Sequence, residues 1–149
     1  MFDIESKRSN EITVSTKTVS VTFDVDDGTI RGGLEVGDIV GPGEFEIGEM
    51  TVRGIGTKDK KTIYDVEIGG VHVGVIGGTE DKLDDLGMAD ILCTSSVRAV
   101  REIEPKMVIS MGNVDGMVSE LKLSARTEKK IKVKNSDSLP STLEVVILS

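Results

Sequence analysis

The stretch "KTIYDVEIGGVHVGVIGG", Lys61–Gly78, decides the fold. Tyr64, Val66 and Ile68 alternate with Asp65 and Glu67, the period-two pattern of a strand with one buried face. Gly69-Gly70 supplies the positive φ angles of a two-residue hairpin turn. The returning strand then shows Val71, Val73 and Val75 on one side and His72 and Gly74 on the other.

Amino-terminal to this hairpin the chain continues as strand. "EITVSTKTVSVTFDV" alternates Ile12, Val14, Val19, Val21 and Phe23 against polar residues, "DDG" at Asp26–Gly28 is a turn, and "GPGEFEIGEMTVRGI" opens on another. Phe45 and Ile47 share one face of that strand, with Glu44 and Glu46 on the opposite one. Carboxy-terminal to the hairpin the period changes. "TEDKLDDLG" is a short helix with Thr79 as N-cap and Gly87 as its stop, and "ADILCT" is a strand. "SSVRAVREIEP" is a helix begun by Ser95 or Ser96 and ended by Pro105.

"PKMVISMGNVDGM", Pro105–Met117, then runs from a buried strand into a helix whose apolar face is Val114, Met117, Val118 and Leu121. Such strand–helix–strand units pair parallel, and ligands gather where their strands end. "EKKIKVKN" and "STLEVVILS" close the chain as strands joined through "DSLP". The fold class is therefore α/β (α+β): mostly β, a few short helices, one domain over residues 1–149.

Composition excludes several functions. With no Trp, one Tyr and three Phe the core must be aliphatic. A net charge of −8 repels phosphate backbones, and Lys129, Lys130, Lys132 and Lys134 alternate with Ile131 and Val133 as a solvated strand face, so no nucleic-acid partner is expected. No apolar run suits a signal peptide or a membrane span, and the one cysteine, Cys93, sits in an apolar strand. The expectation is a cytoplasmic protein without a membrane partner and with a buried structural thiol.

The segments "IVGPGEFEIGEMTVRGI", "KTIYDVEIGGVHVGVIGG", "EPKMVISM" and "DSLP" together resemble, in order and spacing, the small metallo-β-lactamase-fold hydrolases of the ascorbate-lactonase-like type. The resemblance runs from about Val40 to the carboxyl end and is faint before it. It implies a truncated αββα sandwich, two sheets face to face with helices outside. Members of that family bind one or two metal ions through a His-x-His-x-Asp-His loop, further histidines and a bridging aspartate. The corresponding interval here, "DVDDGTIRGGLEVGDIVG", has no histidine. The family's aspartate after the hairpin falls on Gly78, and its histidine after the late strand falls on Gly112. Gly78 and Gly112 are thus vestigial-site positions, in a chain shorter than the family implies. No metal or other cofactor is expected.

Counting donors leads to the same place without the family. A catalytic zinc needs about three ligands drawn from His, Cys and carboxylate, and this chain has His72 and Cys93 alone of the first two types. Mid-strand, His72 reads as a structural or surface residue. A carboxylate-only site is the alternative, with Asp24, Asp65, Glu67 and Asp115 as candidates for a divergent metal-dependent hydrolase. "DVDDGTIRGGLE", Asp24–Glu35, resembles a calcium loop, but its glycine and its third acid, Asp27, are out of place, and an acidic hairpin is the favoured reading. Asp65 and Glu67 share a strand face and could form an acid–base pair; a plain exposed face is the commoner arrangement. Asp81, Asp84 and Asp85 read as a solvated helix face, and Ser95 and Ser96 as caps.

The favoured expectation is a catalytically inactive binding or structural subunit. Its partner is a protein, either a second copy or a full-length relative. The lysine-studded strand reads as a guarded edge, which places that interface nearer the early strands.

Overall fold

In a computed structural model of the chain, which describes residues 1–6, 8, 10–26, 29–31 and 39–148, fourteen strands form two sheets. In chain order the elements begin with β1 (Phe2–Glu5), β2 (Glu11–Ser15), β3 (Ser20–Asp24), β4 (Thr29–Arg31) and β5 (Ile39–Val40). There follow β6 (Gly43–Ile47), β7 (Met50–Gly56), β8 (Thr62–Ile68) and β9 (Val71–Gly77). Helices then alternate with strands: α1 (Leu83–Leu86), β10 (Ile91–Thr94), α2 (Val97–Ile103), β11 (Met107–Ser110) and α3 (Val114–Leu121). Three strands close the chain: β12 (Ala125–Glu128), β13 (Lys130–Val133) and β14 (Glu144–Leu148). The first sheet has the order β13-β1-β2-β3-β4-β5, and the second β12-β14-β11-β10-β9-β8-β7-β6.

The β8–β9 hairpin forms as its sequence requires. Gly69 and Gly70 have φ of 56° and 83°, and the two-residue turn pairs Ile68 with Val71 and Glu67 with His72. At Gly74 the glycine is needed for space, since a Cβ there would lie 2.9 Å from Leu92 Cδ1 and 3.2 Å from Leu86 Cδ2. This close approach seats α1 on the sheet.

Between the sheets lies an aliphatic core. Ile4, Ile12, Val14, Val21 and Phe23 from the first sheet meet Val52, Tyr64, Val66, Val73, Ile91 and Ile109 from the second. The rings of Phe23 and Tyr64 stand 5.2 Å apart at 56°, joining the sheets at one aromatic contact. A second core, with Ile63, Leu86, Leu92, Val100, Val108, Met117 and Val145, lies under the helices on the far side of the second sheet.

Three layers of the expected four are thus present: sheet, sheet, helices. Among the described residues no helix covers the first sheet's outer face, and its composition explains why none is needed. Thr13 pairs with Thr22 through their hydroxyls at 2.8 Å, and Ser15 with Ser20 at 2.9 Å. Asp3 faces Lys130 at 3.8 Å. This face, among the described residues, is polar. Among the described residues the large exposed hydrophobics are Met1 and Met88.

Several local expectations change. The helix expected from Thr79 begins only at Leu83, after Lys82 at φ 63°, because the Thr79 hydroxyl is taken by Asp59 at 2.9 Å. "EKKIKVKN" is not one strand: Glu128 ends β12 in the second sheet and Lys130 begins β13 in the first, so the chain turns the sandwich corner at Lys129. Other expectations hold, since Ser96 caps α2 and Gly87 ends α1. β10 and β11 pair parallel as expected. Cys93 is fully buried in β10, and burial pushes its thiol up to about 12. A thiol reagent at pH 8 should therefore label Cys93 only at the rate of global unfolding and immediately in denaturant.

Candidate functional site

Strands β9, β10, β11, β14 and β12 run parallel, so their carboxyl ends bring three loops together at one end of the second sheet. Such an end is where an α/β sheet offers a binding site. Here the loops hold one another closed. Thr94 Oγ1 donates to the Gly77 carbonyl at 2.6 Å, and the same carbonyl accepts the Ser95 N–H at 2.9 Å. Thr94 Oγ1 also accepts the Ser96 N–H at 3.0 Å. Ser96 Oγ caps α2 by accepting the Ala99 N–H at 3.1 Å, and it donates to Glu80. Asn113, at φ 54°, starts α3 and donates from Nδ2 to the Ser95 carbonyl at 3.3 Å. A cleft of about 430 Å³ remains, lined by Gly78, Glu80, Ser95, Arg98, Arg101 and Asn113 among others.

Gly78 and Gly112, the positions where the family resemblance expects ligands, lie at this end but open onto different spaces. Gly78 lines the polar cleft, where a Cβ would stand 3.1 Å from Ser95 Oγ. Gly112 lines a smaller hollow of about 210 Å³ with Ile12, Ile109, Met111 and Leu148. Gly112 has φ of 116°, a conformation that side chains rarely take, with the Ser110 hydroxyl bonded to its carbonyl at 2.7 Å. A histidine restored here would be strained. Gly112→His is expected to cost about 1–3 kcal/mol in denaturant unfolding and to add no zinc affinity by calorimetry.

The four candidate carboxylates do not converge. Asp24 ends β3 in the other sheet, buried, and accepts the Asp26 N–H at 3.0 Å. The next residue, Val25, packs where a Gly77 Cβ would be, 3.0 Å away, so the Asp24 loop reaches the same end of the sandwich. Within the calcium-like stretch Thr29–Arg31 forms β4, whereas Asp27, Gly28 and Glu35 lie outside the described residues. Asp115 is in the first turn of α3.

Asp65 and Glu67 do meet a third group, on the helix-side face of β8. Asp65 Oδ1 lies 3.1 Å from His72 Nδ1, and Glu67 Oε2 lies 3.9 Å from His72 Nε2. Arg53 Nη2 lies 3.6 Å from Asp65 and donates to the Leu86 carbonyl at 3.0 Å. The His72 backbone N–H donates to Asp90 at 2.9 Å. The side chain of Asp65 is 11% exposed, and its role is to tie β7, β8, β9 and the end of α1 together. The hairpin register, readable from the two-glycine turn, would have found the Glu67–His72 pair. Arg53, Asp90, Glu80 and Asn113 join these clusters through tertiary contacts that leave no local signal.

The remaining acids behave as a surface. Asp81 accepts the Lys58 N–H at 2.7 Å, and Asp85 lies 3.9 Å from Lys82.

A zinc centre does not fit this donor set. The imidazole is flanked on both nitrogens by carboxylates that do not share a point, the thiol is sealed in the core, and among the described residues no three His, Cys, Asp or Glu side chains gather to hold an ion.

The chain's architecture has a counterpart in a putative zinc-dependent hydrolase of the metallo-β-lactamase superfamily from Thermotoga maritima. The two superimpose with a TM-score of 0.72 over 99% of each chain, at 14% identity. The fold is metallo-β-lactamase-like. At that identity the likeness is one of fold, and it is end to end, so this chain's modest length is shared with that protein. The metallo-β-lactamase fold protein YhfI from Bacillus subtilis aligns over 70% of this chain and 48% of its own, with 13% identity and a TM-score of 0.44. No family model matches the sequence, and no curated protein matches it either. Among the described residues no helix is long and apolar enough to cross a membrane.

Proposed function

We propose that this chain is a metal-free, non-catalytic relative of the ascorbate-lactonase-like hydrolases, serving in the cytoplasm as a protein-binding or structural subunit. Its partner is a second copy or an intact relative. The observation that carries the reading is the condition of the sheet-end site. Glycines stand at the two positions where the resemblance expects ligands, and hydroxyl and amide groups around them are spent on closing the loops. A hydrolytic centre needs donors aimed at a shared point, and here the polar groups point at one another.

The carboxylate-based hydrolase survives only as Asp65 and Glu67 beside His72, the one place where candidate acids and a base meet. Both imidazole nitrogens there already face carboxylates.

Light scattering on the chain alone, and mixed with a purified histidine-complete member of the fold, tests the reading. A mass above the monomer in either sample is expected. A monodisperse monomer in both would remove the binding-subunit role.

A further inference from the structure

The two sheets end on strands of opposite charge. At one side of the sandwich β13 is the outermost strand of the first sheet, with Lys130 and Lys132 exposed and Ile131 and Val133 turned into the core. At the other side β6 is the outermost strand of the second sheet, with Glu44 and Glu46 exposed, Phe45 partly buried and Ile47 buried. Among the described residues neither strand has a neighbour on its outer side.

Among the described residues, in-chain pairing leaves these charges largely unspent. Arg53, opposite Glu44, turns instead to Asp65 and the Leu86 carbonyl. Glu46 faces Thr51, and Lys130 approaches Asp3 only to 3.8 Å.

Like charges set directly across from each other destabilise a strand pair. Two copies therefore cannot join symmetrically through β13 or through β6, which is the usual protection of an edge. The protection fails for one combination. With Ile131 set opposite Phe45, Lys130 and Lys132 of one copy fall opposite Glu44 and Glu46 of the other, whichever way the strands run.

We propose that copies of this chain associate head to tail, β13 of one against β6 of the next, so that the first sheet of one continues into the second sheet of its neighbour. This names the interface for the self-association allowed under the proposed function, and it moves that interface from the early strands to the lysine-bearing edge. Such a contact is heterologous, and repeating it builds rings or open chains rather than a two-fold dimer. Its charge pairs lie at the solvent face and weaken with salt.

Two charge-reversed proteins test it by sedimentation velocity: Glu44→Lys/Glu46→Lys and Lys130→Glu/Lys132→Glu, each checked for native circular dichroism. The wild-type chain should sediment faster with rising concentration at about 20 mM salt and lose at least tenfold in association at about 0.5 M. Each variant alone has two edges of one sign and should stay monomeric. An equal mixture should regain concentration-dependent association, because each edge of one variant then meets an edge of opposite sign on the other. A mixture that stays monomeric, or a variant that associates alone as the wild type does, overturns the proposal. Neither result bears on metal content or on binding to an intact relative, so the interface can fail while the proposed function stands.

Discussion

Phe23→Ala is expected to lower the free energy of unfolding by about 3–5 kcal/mol, the cost of deleting a fully buried aromatic ring. For a domain of this size that corresponds to a fall in Tm of about 10 °C or more. Phe23 is 0% exposed in β3 and meets Tyr64 of β8 across the sandwich. Those two rings are large residues in a core built mostly from Ile, Val and Met, so few neighbours can move to fill the space. Phe23→Leu, which keeps most of the volume, should recover more than half of the loss in the same urea titration. A loss below about 1 kcal/mol for Phe23→Ala would mean that the two sheets are not packed against each other at this point.

Asp65→Ala comes second, at about 2–3 kcal/mol, the range for charge-assisted hydrogen bonds lost from a largely buried carboxylate. The substitution leaves Arg53 and His72 without their common partner and loosens the link from β7 to the end of α1. Glu67→Ala, at a half-exposed position 3.9 Å from the ring, should cost no more than a few tenths of a kcal/mol. This contrast separates the two readings of the cluster. A structural tie makes Asp65 dominate stability, whereas an acid–base pair would make both carboxylates matter to turnover and neither to folding.

Much of this architecture is readable where local rules govern. Gly69-Gly70 dictates the hairpin and its register, Ser96 caps α2, and the apolar spacing of Val114, Met117, Val118 and Leu121 forecasts α3. Reading fails where a distant residue decides. Thr79 has the right chemistry for an N-cap but bonds Asp59, so α1 starts four residues later. The lysine run breaks its alternation at Lys129, which is in phase with the inward Ile131 and Val133. That break alone does not say that the chain changes sheets there. Ala125–Glu128 has a polar, weakly alternating sequence and is a strand only because β14 lies beside it.

The candidate site divides in the same way. Its missing donors can be counted in the sequence, one His and one Cys. That Gly112 holds a backbone angle hostile to a side chain, and that Thr94 and Ser96 lock the loops, depends on contacts 17 and 16 residues apart.

Metal analysis of chain purified without chelator, by plasma mass spectrometry after gel filtration, reaches the central claim most directly. Among the described residues too few electron-pair donors converge to cage a hydrolytic ion, so transition metals should stay at trace, sub-stoichiometric levels even after incubation with zinc. Zinc or manganese retained at about one ion per chain would contradict the account and return the protein to the hydrolases.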